Sequence, residues 1–161
     1  MGNAGLTAAA GSGTRVARLL RACASARVDR ESTGVTSLSL AAADGSALPG
    51  ALPGQFLVLR VRIKPDLPPI LRSYSMSGAP GADGYRVSVK RETDGMVSAF
   101  LCDDVTAGDD LDVSAPRGTF TLRPGDGPVV LLSAGIGATP TLAMLHALAG
   151  PGACERPMPR V

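Results

Sequence analysis

Two hexapeptides constrain this chain most. Val35-Thr36-Ser37-Leu38-Ser39-Leu40 and Tyr85-Arg86-Val87-Ser88-Val89-Lys90 alternate apolar and polar residues. Only an extended strand puts every second side chain on the same face, so each segment must turn one side to a core and the other to water. In the second, Tyr85, Val87 and Val89 face one way and Arg86, Ser88 and Lys90 the other. Asp44-Gly45, Pro49-Gly50, Pro53-Gly54 and Asp94-Gly95 supply turns between such segments. With 20 glycines and 13 prolines in 161 residues, short strands and many turns are favoured over long helices.

Further strands are predicted from Ala26-Arg27-Val28, after the turn at Pro53-Gly54 through Val61, and over Arg72–Ser77, Asp110–Ala115 and Thr119–Leu122. One short helix is predicted over Val97–Cys102, with Val97, Phe100 and Leu101 inward. About six short strands with one inserted helix make a mainly β fold, an antiparallel barrel over residues 24–125. Residues 1–23 read as a disordered or linker segment, within which Arg15–Cys23 has the spacing of a short helix. After residue 125 the character changes. Val129–Ala134 is a continuous apolar run, as in a strand buried on both faces of a parallel sheet. Thr139–Ala149 follows with helical spacing and Leu142, Leu145 and Leu148 on one side. Together they predict the first βα unit of a nucleotide-binding domain over residues 126–161, ending in an irregular, proline-containing tail.

Aromatic residues are only 3% of the chain and tryptophan is absent, so the core must come from Val, Leu and Ala. A formal charge of +2 without a basic stripe gives no footprint for nucleic acid. Cys23, Cys102 and Cys154 are widely spaced and form no metal or cluster motif, and a lone His146 excludes a multi-histidine metal site. No apolar run is long enough to span a bilayer. The N-terminus lacks the layout of a secretory signal. Its arginines without acidic residues are weak evidence for a transit peptide, because the same bias runs through the whole chain. These features place the chain in the cytoplasm, away from membranes.

The chemistry concentrates in Arg72-Ser73-Tyr74-Ser75. A guanidinium suits bidentate contact with phosphate oxygens, a phenol ring can lie against a flat heterocycle, and a hydroxyl can donate to a ring nitrogen. That combination fits a flavin nucleotide, with Tyr74 and Ser75 nearest its reactive atoms. On a regular strand, however, Arg72 and Tyr74 share a face and Ser75 points away. Gly95-Met96-Val97-Ser98 opens the inserted helix, where free N–H groups and the Ser98 hydroxyl make an anion site. Gly135-Ile136-Gly137-Ala138-Thr139-Pro140 joins the apolar run to the last helix and resembles a dinucleotide turn, though it is not a full GxGxxG. Each feature also has an ordinary reading as a strand residue, a plain helix start or a tight packing turn.

The order of these motifs resembles the ferredoxin–NADP reductase superfamily, most closely the reductase part of flavohaemoglobins and the FAD-binding module fused to MOSC domains. The resemblance is carried by Pro53-Gly54-Gln55-Phe56, Arg72-Ser73-Tyr74-Ser75, Ser88-Val89-Lys90-Arg91-Glu92, Gly95-Met96-Val97-Ser98, Ser114-Ala115-Pro116-Arg117-Gly118 and Gly135–Pro140, and covers residues 24–149. It implies a six-stranded Greek-key barrel that binds FAD, with FMN the less favoured flavin. By position, Arg72 would contact the pyrophosphate, Tyr74 and Ser75 the isoalloxazine and ribityl parts, and Phe56 the flavin edge, with Ser73 also among the cofactor-binding residues. Ser88, Val89 and Lys90 would line the adenosine and phosphate side. Gly95, Val97 and Ser98 would form the pyrophosphate helix start, and Gly135, Gly137, Thr139 and Pro140 would face NAD(P)H. The implied reaction is hydride transfer from NAD(P)H to the flavin and onward electron transfer to a haem or iron–sulfur acceptor. Against the family pattern, the nucleotide domain reads as truncated after its first βα unit. A non-catalytic flavin-binding or interaction module, and a barrel without cofactor, are the competing readings.

Overall fold

The computed structural model describes residues 20–79, 84–125 and 127–150. Six strands and two helices follow one another: β1 (Leu20–Ser32), β2 (Val35–Ala42), β3 (Phe56–Val61), β4 (Ile70–Ser75), β5 (Tyr85–Lys90), α1 (Met96–Asp103), β6 (Asp110–Ser114) and α2 (Ala138–Ala149), the last entered through a 3-10 turn at Gly135–Gly137. All strands belong to one sheet in the order β4-β3-β6-β1-β2-β5, every neighbour antiparallel. β1 is long enough to pair with both β2 and β6, and irregularities between Ser25 and Arg27 and between Arg30 and Ser32 bend it between the two.

The alternation read from the sequence becomes the core. Leu38 and Leu40 of β2, Leu57, Leu59 and Val61 of β3, Val87 and Val89 of β5 and Val113 of β6 are fully or almost fully buried. Leu101 of α1 closes the interior, and Val97 and Cys102 pack beside it. The outer faces carry polar pairs such as Arg60 with Asp112, opposed across β3 and β6 and joined by hydrogen bonds of 2.9 and 2.7 Å.

The end strands β4 and β5 come together without a ladder. They meet at one isolated bridge, Met76 with Val87, where the Ser77 N–H donates to the Arg86 carbonyl at 2.8 Å. The sheet is therefore an open barrel with a seam rather than a closed ring.

Three sequence expectations are corrected. Leu20–Cys23 is not helix but part of β1, because its residues pair with Ser114–Leu111 of β6; the barrel thus includes Leu20–Cys23, and the rest of Arg15–Cys23 lies outside the described residues. Thr119–Leu122 forms no strand; the chain there is held by a bond from the Leu122 N–H to the Pro53 carbonyl. Val129–Ala134 forms no strand either, and Val130 and Leu132 are 74% and 86% exposed. A parallel strand needs neighbours on both edges and cover on both faces, and the described residues supply neither. The helix read over Thr139–Ala149 is present as α2; it buries Pro140, Ala143 and Met144, and Leu142 and Leu145 are exposed.

α2 packs on the barrel at the turn after Pro53. Gly54 has φ of +101°, and a Cβ there would lie 2.2 Å from the Phe120 carbonyl oxygen and 2.6 Å from Met144 Cε. Only glycine fits so close an approach in that backbone conformation. Among the described residues no helix is long and apolar enough to cross a membrane.

Candidate functional site

β4 is an edge strand, and its pairing register sorts the Arg72–Ser75 side chains by face. Arg72 and Tyr74 stand opposite Leu59 and Leu57, whose side chains point into the barrel; Ser73 and Ser75 stand opposite Val58 and Phe56 on the outside. The regular-strand geometry thus holds, and the four side chains do not converge on one face. The backbone connects the two groups. The Met76 N–H donates to the Gln55 carbonyl, so the alternation of an antiparallel pair turns the Ser73 and Ser75 N–H groups away from β3 and into the seam. A ligand laid along this edge meets Arg72 and Tyr74 on one side, backbone donors in the middle and Ser75 on the other.

Arg72 is exposed and, among the described residues, its side chain makes a single hydrogen bond, to its neighbour's carbonyl, Leu71, at 2.9 Å. No carboxylate pairs with it among the described residues. Its guanidinium therefore keeps its donors available for an anion. Tyr74 is half-buried and packs against the core cluster. Burial raises its hydroxyl above the ordinary tyrosine value of 10.0, the Arg72 charge opposes this, and Cys102 of α1 adds to it.

α1 begins at Gly95, which has extended backbone and accepts the first helical bond from Ala99 at 2.8 Å. The N–H groups of the first turn have no intrahelical acceptor and form a positive helix end. The Ser98 hydroxyl is committed elsewhere: it accepts from the Glu92 N–H at 3.1 Å and donates to the Gly95 carbonyl at 3.0 Å. It shapes the entry loop rather than standing free. A Cβ on Gly95 would lie 2.3 Å from Ser98 Oγ, so the glycine is what permits this turn. Val97 is a core side chain, and Val89 is fully buried, leaving only backbone for any ligand. The Lys90 ammonium is exposed and reaches Glu92 at 3.1 Å. The Ser88 hydroxyl faces away, bonded to Ser37 and Ser77 at 2.8 Å each.

Phe56 lies on the outer face beside Ser75, bridged to Arg117 by two backbone bonds of 2.8 and 2.9 Å. Its ring sits 3.0 Å from where a Cβ of Gly118 would be, so the Ser114–Gly118 segment packs directly against it. At the other end, Gly135 has φ of +54° and Thr139 donates its hydroxyl to the Ile136 carbonyl at 3.1 Å. Pro140 is buried in the first turn of α2. Gly135 and Gly137 are thus in a tight turn entering a helix, without the preceding strand that the sequence reading attached to it. Sequence reasoning missed Ser77, which bonds Ser88, and Arg86 and Glu31, which are linked to Ser77 in turn; the outward side of the β5 alternation was the only sequence signal, and it covers Arg86 alone.

Residues 26–122 match the family model described as the oxidoreductase FAD-binding domain. The flavohemoprotein of Deinococcus radiodurans is 47% identical over 133 residues, covering 83% of this chain and 33% of that protein. The flavohem-like FAD/NAD binding domain of nitric oxide dioxygenase from Vibrio cholerae O1 biovar El Tor superposes with a TM-score of 0.76 at 41% identity, covering 80% of this chain and 56% of that one. Phthalate dioxygenase reductase superposes with a TM-score of 0.68 at 27% identity, covering 83% and 40%. This chain spans about a third of the length of the curated relatives it matches. The match over residues 26–122, more than half of the chain, makes this chain a member of the oxidoreductase FAD-binding domain family.

Proposed function

We propose that the seam between β4 and β5 holds FAD, and that the domain serves as the electron-entry part of a reductase that takes hydride from NAD(P)H. The single observation that carries the site assignment is Arg72: an exposed guanidinium that has no carboxylate partner among the described residues, two positions along the same face from half-buried Tyr74 on the edge strand β4.

The residues present fit the group. Arg72 and the first turn of α1 supply positive charge for the pyrophosphate. Tyr74 supplies a flat surface held by core packing, and the seam-facing Ser73 and Ser75 N–H groups supply directed donors. Ser75 holds its hydroxyl on the far side of the edge, where it can donate to a ring nitrogen. When bound, FAD contributes the hydride acceptor and the ability to release electrons singly. The chain's own residues bind it, orient it and set the charge around it. Phe56 lies beside Ser75 as an apolar wall.

The further parts of the proposal draw on the relatives. A flavohemoprotein carries haem by name, and phthalate dioxygenase reductase is described as transferring electrons from pyridine nucleotides to [2Fe-2S]. For this chain we propose a haem or iron–sulfur acceptor domain as the partner. The glycine turn Gly135–Gly137 with Thr139 and Pro140 is proposed as the nicotinamide side. Cys23 and Cys102 are free and buried, which suits a reducing cytoplasm.

A second reading, a flavin-binding module without turnover, is favoured by Val129–Ala134, which builds no strand beneath the glycine turn. Mixing the FAD-loaded chain with NADH or NADPH in a stopped-flow instrument separates the two. Bleaching of the flavin absorbance supports the reductase; an unchanged spectrum with both nucleotides supports the binding module.

A further inference from the structure

A chain of polar side chains crosses the outside of the barrel at the point where the seam is stitched shut. Ser37 of β2 and Ser88 of β5 share a hydrogen bond of 2.8 Å. Ser88 donates onward to Ser77 Oγ at 2.8 Å. Arg86 Nη1 donates to the same Ser77 oxygen at 3.1 Å, and the other Arg86 nitrogen pairs with Glu31 of β1. Ser77 also ties its N–H to the Arg86 carbonyl at 2.8 Å. Ser37 and Ser77 are fully buried although they lie on the outer side of the sheet. Gly78 makes room for that stem, since a Cβ there would lie 2.8 Å from Arg86 Cβ.

The arrangement asks more of Ser77 than packing requires. Its oxygen accepts two hydrogen bonds, which uses the full acceptor capacity of a hydroxyl. A buried network of this kind is costly when half satisfied and rigid when complete. It joins β1, β2 and β5 to the residues that continue β4, and it does so two positions beyond Ser75. Among the described residues, this network and the Met76–Val87 bridge are what tie the end of β4 to β5. The bridge therefore sets how far apart the two strands stand at Ser75 and Tyr74.

We propose that Ser77, Arg86 and Glu31 form a positioning clamp for the flavin site, fixing the width of the seam at Tyr74 and Ser75 without touching the cofactor. The proposal rests on the assignment of the seam to FAD. Its outer end, Glu31, has a side chain 43% exposed, so that end can be released without opening the core.

The test uses the whole chain and two substitutions, Ser77→Ala and Glu31→Gln. FAD binding is titrated by flavin fluorescence, the visible circular dichroism of the bound flavin is recorded, and the melting of the FAD-free protein is followed. The clamp predicts that each variant binds FAD about three- to tenfold more weakly, the range of one to two net hydrogen bonds. It also predicts an altered visible dichroism, and a double variant no weaker than the more affected single one. Should Ser77→Ala fail to fold, Glu31→Gln decides alone. A melting shift with unchanged affinity and dichroism would show a purely structural network and overturn the clamp. Arg72→Ala separates the two levels: if it loses affinity while both clamp variants keep it, the seam stands and the clamp falls. If the parent chain binds no FAD, both fall.

Discussion

Arg72 and Tyr74 stand side by side on the inner face of an edge strand, opposite Leu59 and Leu57, with an unpaired guanidinium next to a ring half sunk in the core. Cores seldom turn such a pair toward an open edge. An edge left unpaired invites association with other chains unless it is covered or charged; here Arg72 supplies the charge, and under the proposed function FAD would supply the cover.

Tyr74 then contributes through its ring more than through its hydroxyl. Tyr74→Leu keeps an apolar side chain against the core but removes the aromatic face. FAD affinity should fall by about 1 kcal/mol, roughly fivefold, the order of an aromatic pair beyond its buried area. Tyr74→Phe should bind nearly as well as the parent. Fluorescence titration of both variants checks this, and equal losses would point to the hydroxyl instead.

The approach of α2 to the barrel makes Gly54 sensitive. Gly54→Ala places a methyl group 2.2 Å from a backbone oxygen at a positive φ, and should cost at least about 2 kcal/mol. The urea midpoint of the cofactor-free chain measures it. By contrast Leu132→Ser should change stability by less than about 0.5 kcal/mol, because Leu132 is 86% exposed and touches no core. A large loss there would mean that Val129–Ala134 is packed as a strand after all.

Those two positions show where the sequence was legible. Leu38, Leu40, Val87 and Val89 were readable as core because alternation alone decides which face a strand residue takes, and their burial follows it. The Pro53-Gly54 turn and the start of α1 were readable from glycine and its neighbours. Leu20–Cys23 was not, since a few apolar residues at mixed spacing fit helix and strand equally and only pairing with β6 settles it. Val129–Ala134 looked like a buried strand because its composition is right, but strand formation depends on neighbours that a local pattern does not reveal. At the site, the residues of Arg72–Ser75 were readable as chemistry. The division between faces was foreseeable from the strand period, whereas the role of the edge in joining them depends on the sheet order. Ser77 and Arg86 carried no motif, because a hydrogen-bonded network is defined by three-dimensional proximity.

Alkaline pH should weaken the fold. Burial raises Cys23 above its ordinary 9.0 and Tyr74 and Tyr85 above 10.0. All three are acids that the folded state holds in the neutral form. Their contribution is complete below the unfolded-state values and is lost as pH rises through the folded-state values. The melting temperature should therefore hold to about pH 9 and decline above it, more shallowly in Tyr74→Phe and in Cys23→Ala relative to their own neutral-pH values. Parallel declines in parent and variants would remove these groups from the explanation.

The most direct measurement is a titration of the full chain with FAD, alongside Arg72→Ala, by flavin fluorescence. The seam assignment predicts saturable binding of one FAD per chain, and an affinity at least about tenfold weaker in Arg72→Ala, as expected for loss of a charge-assisted contact. Melting of the cofactor-free variant should match the parent, since Arg72 is exposed and unpaired. An Arg72→Ala chain that binds FAD as tightly as the parent would contradict the placement of the flavin at this seam.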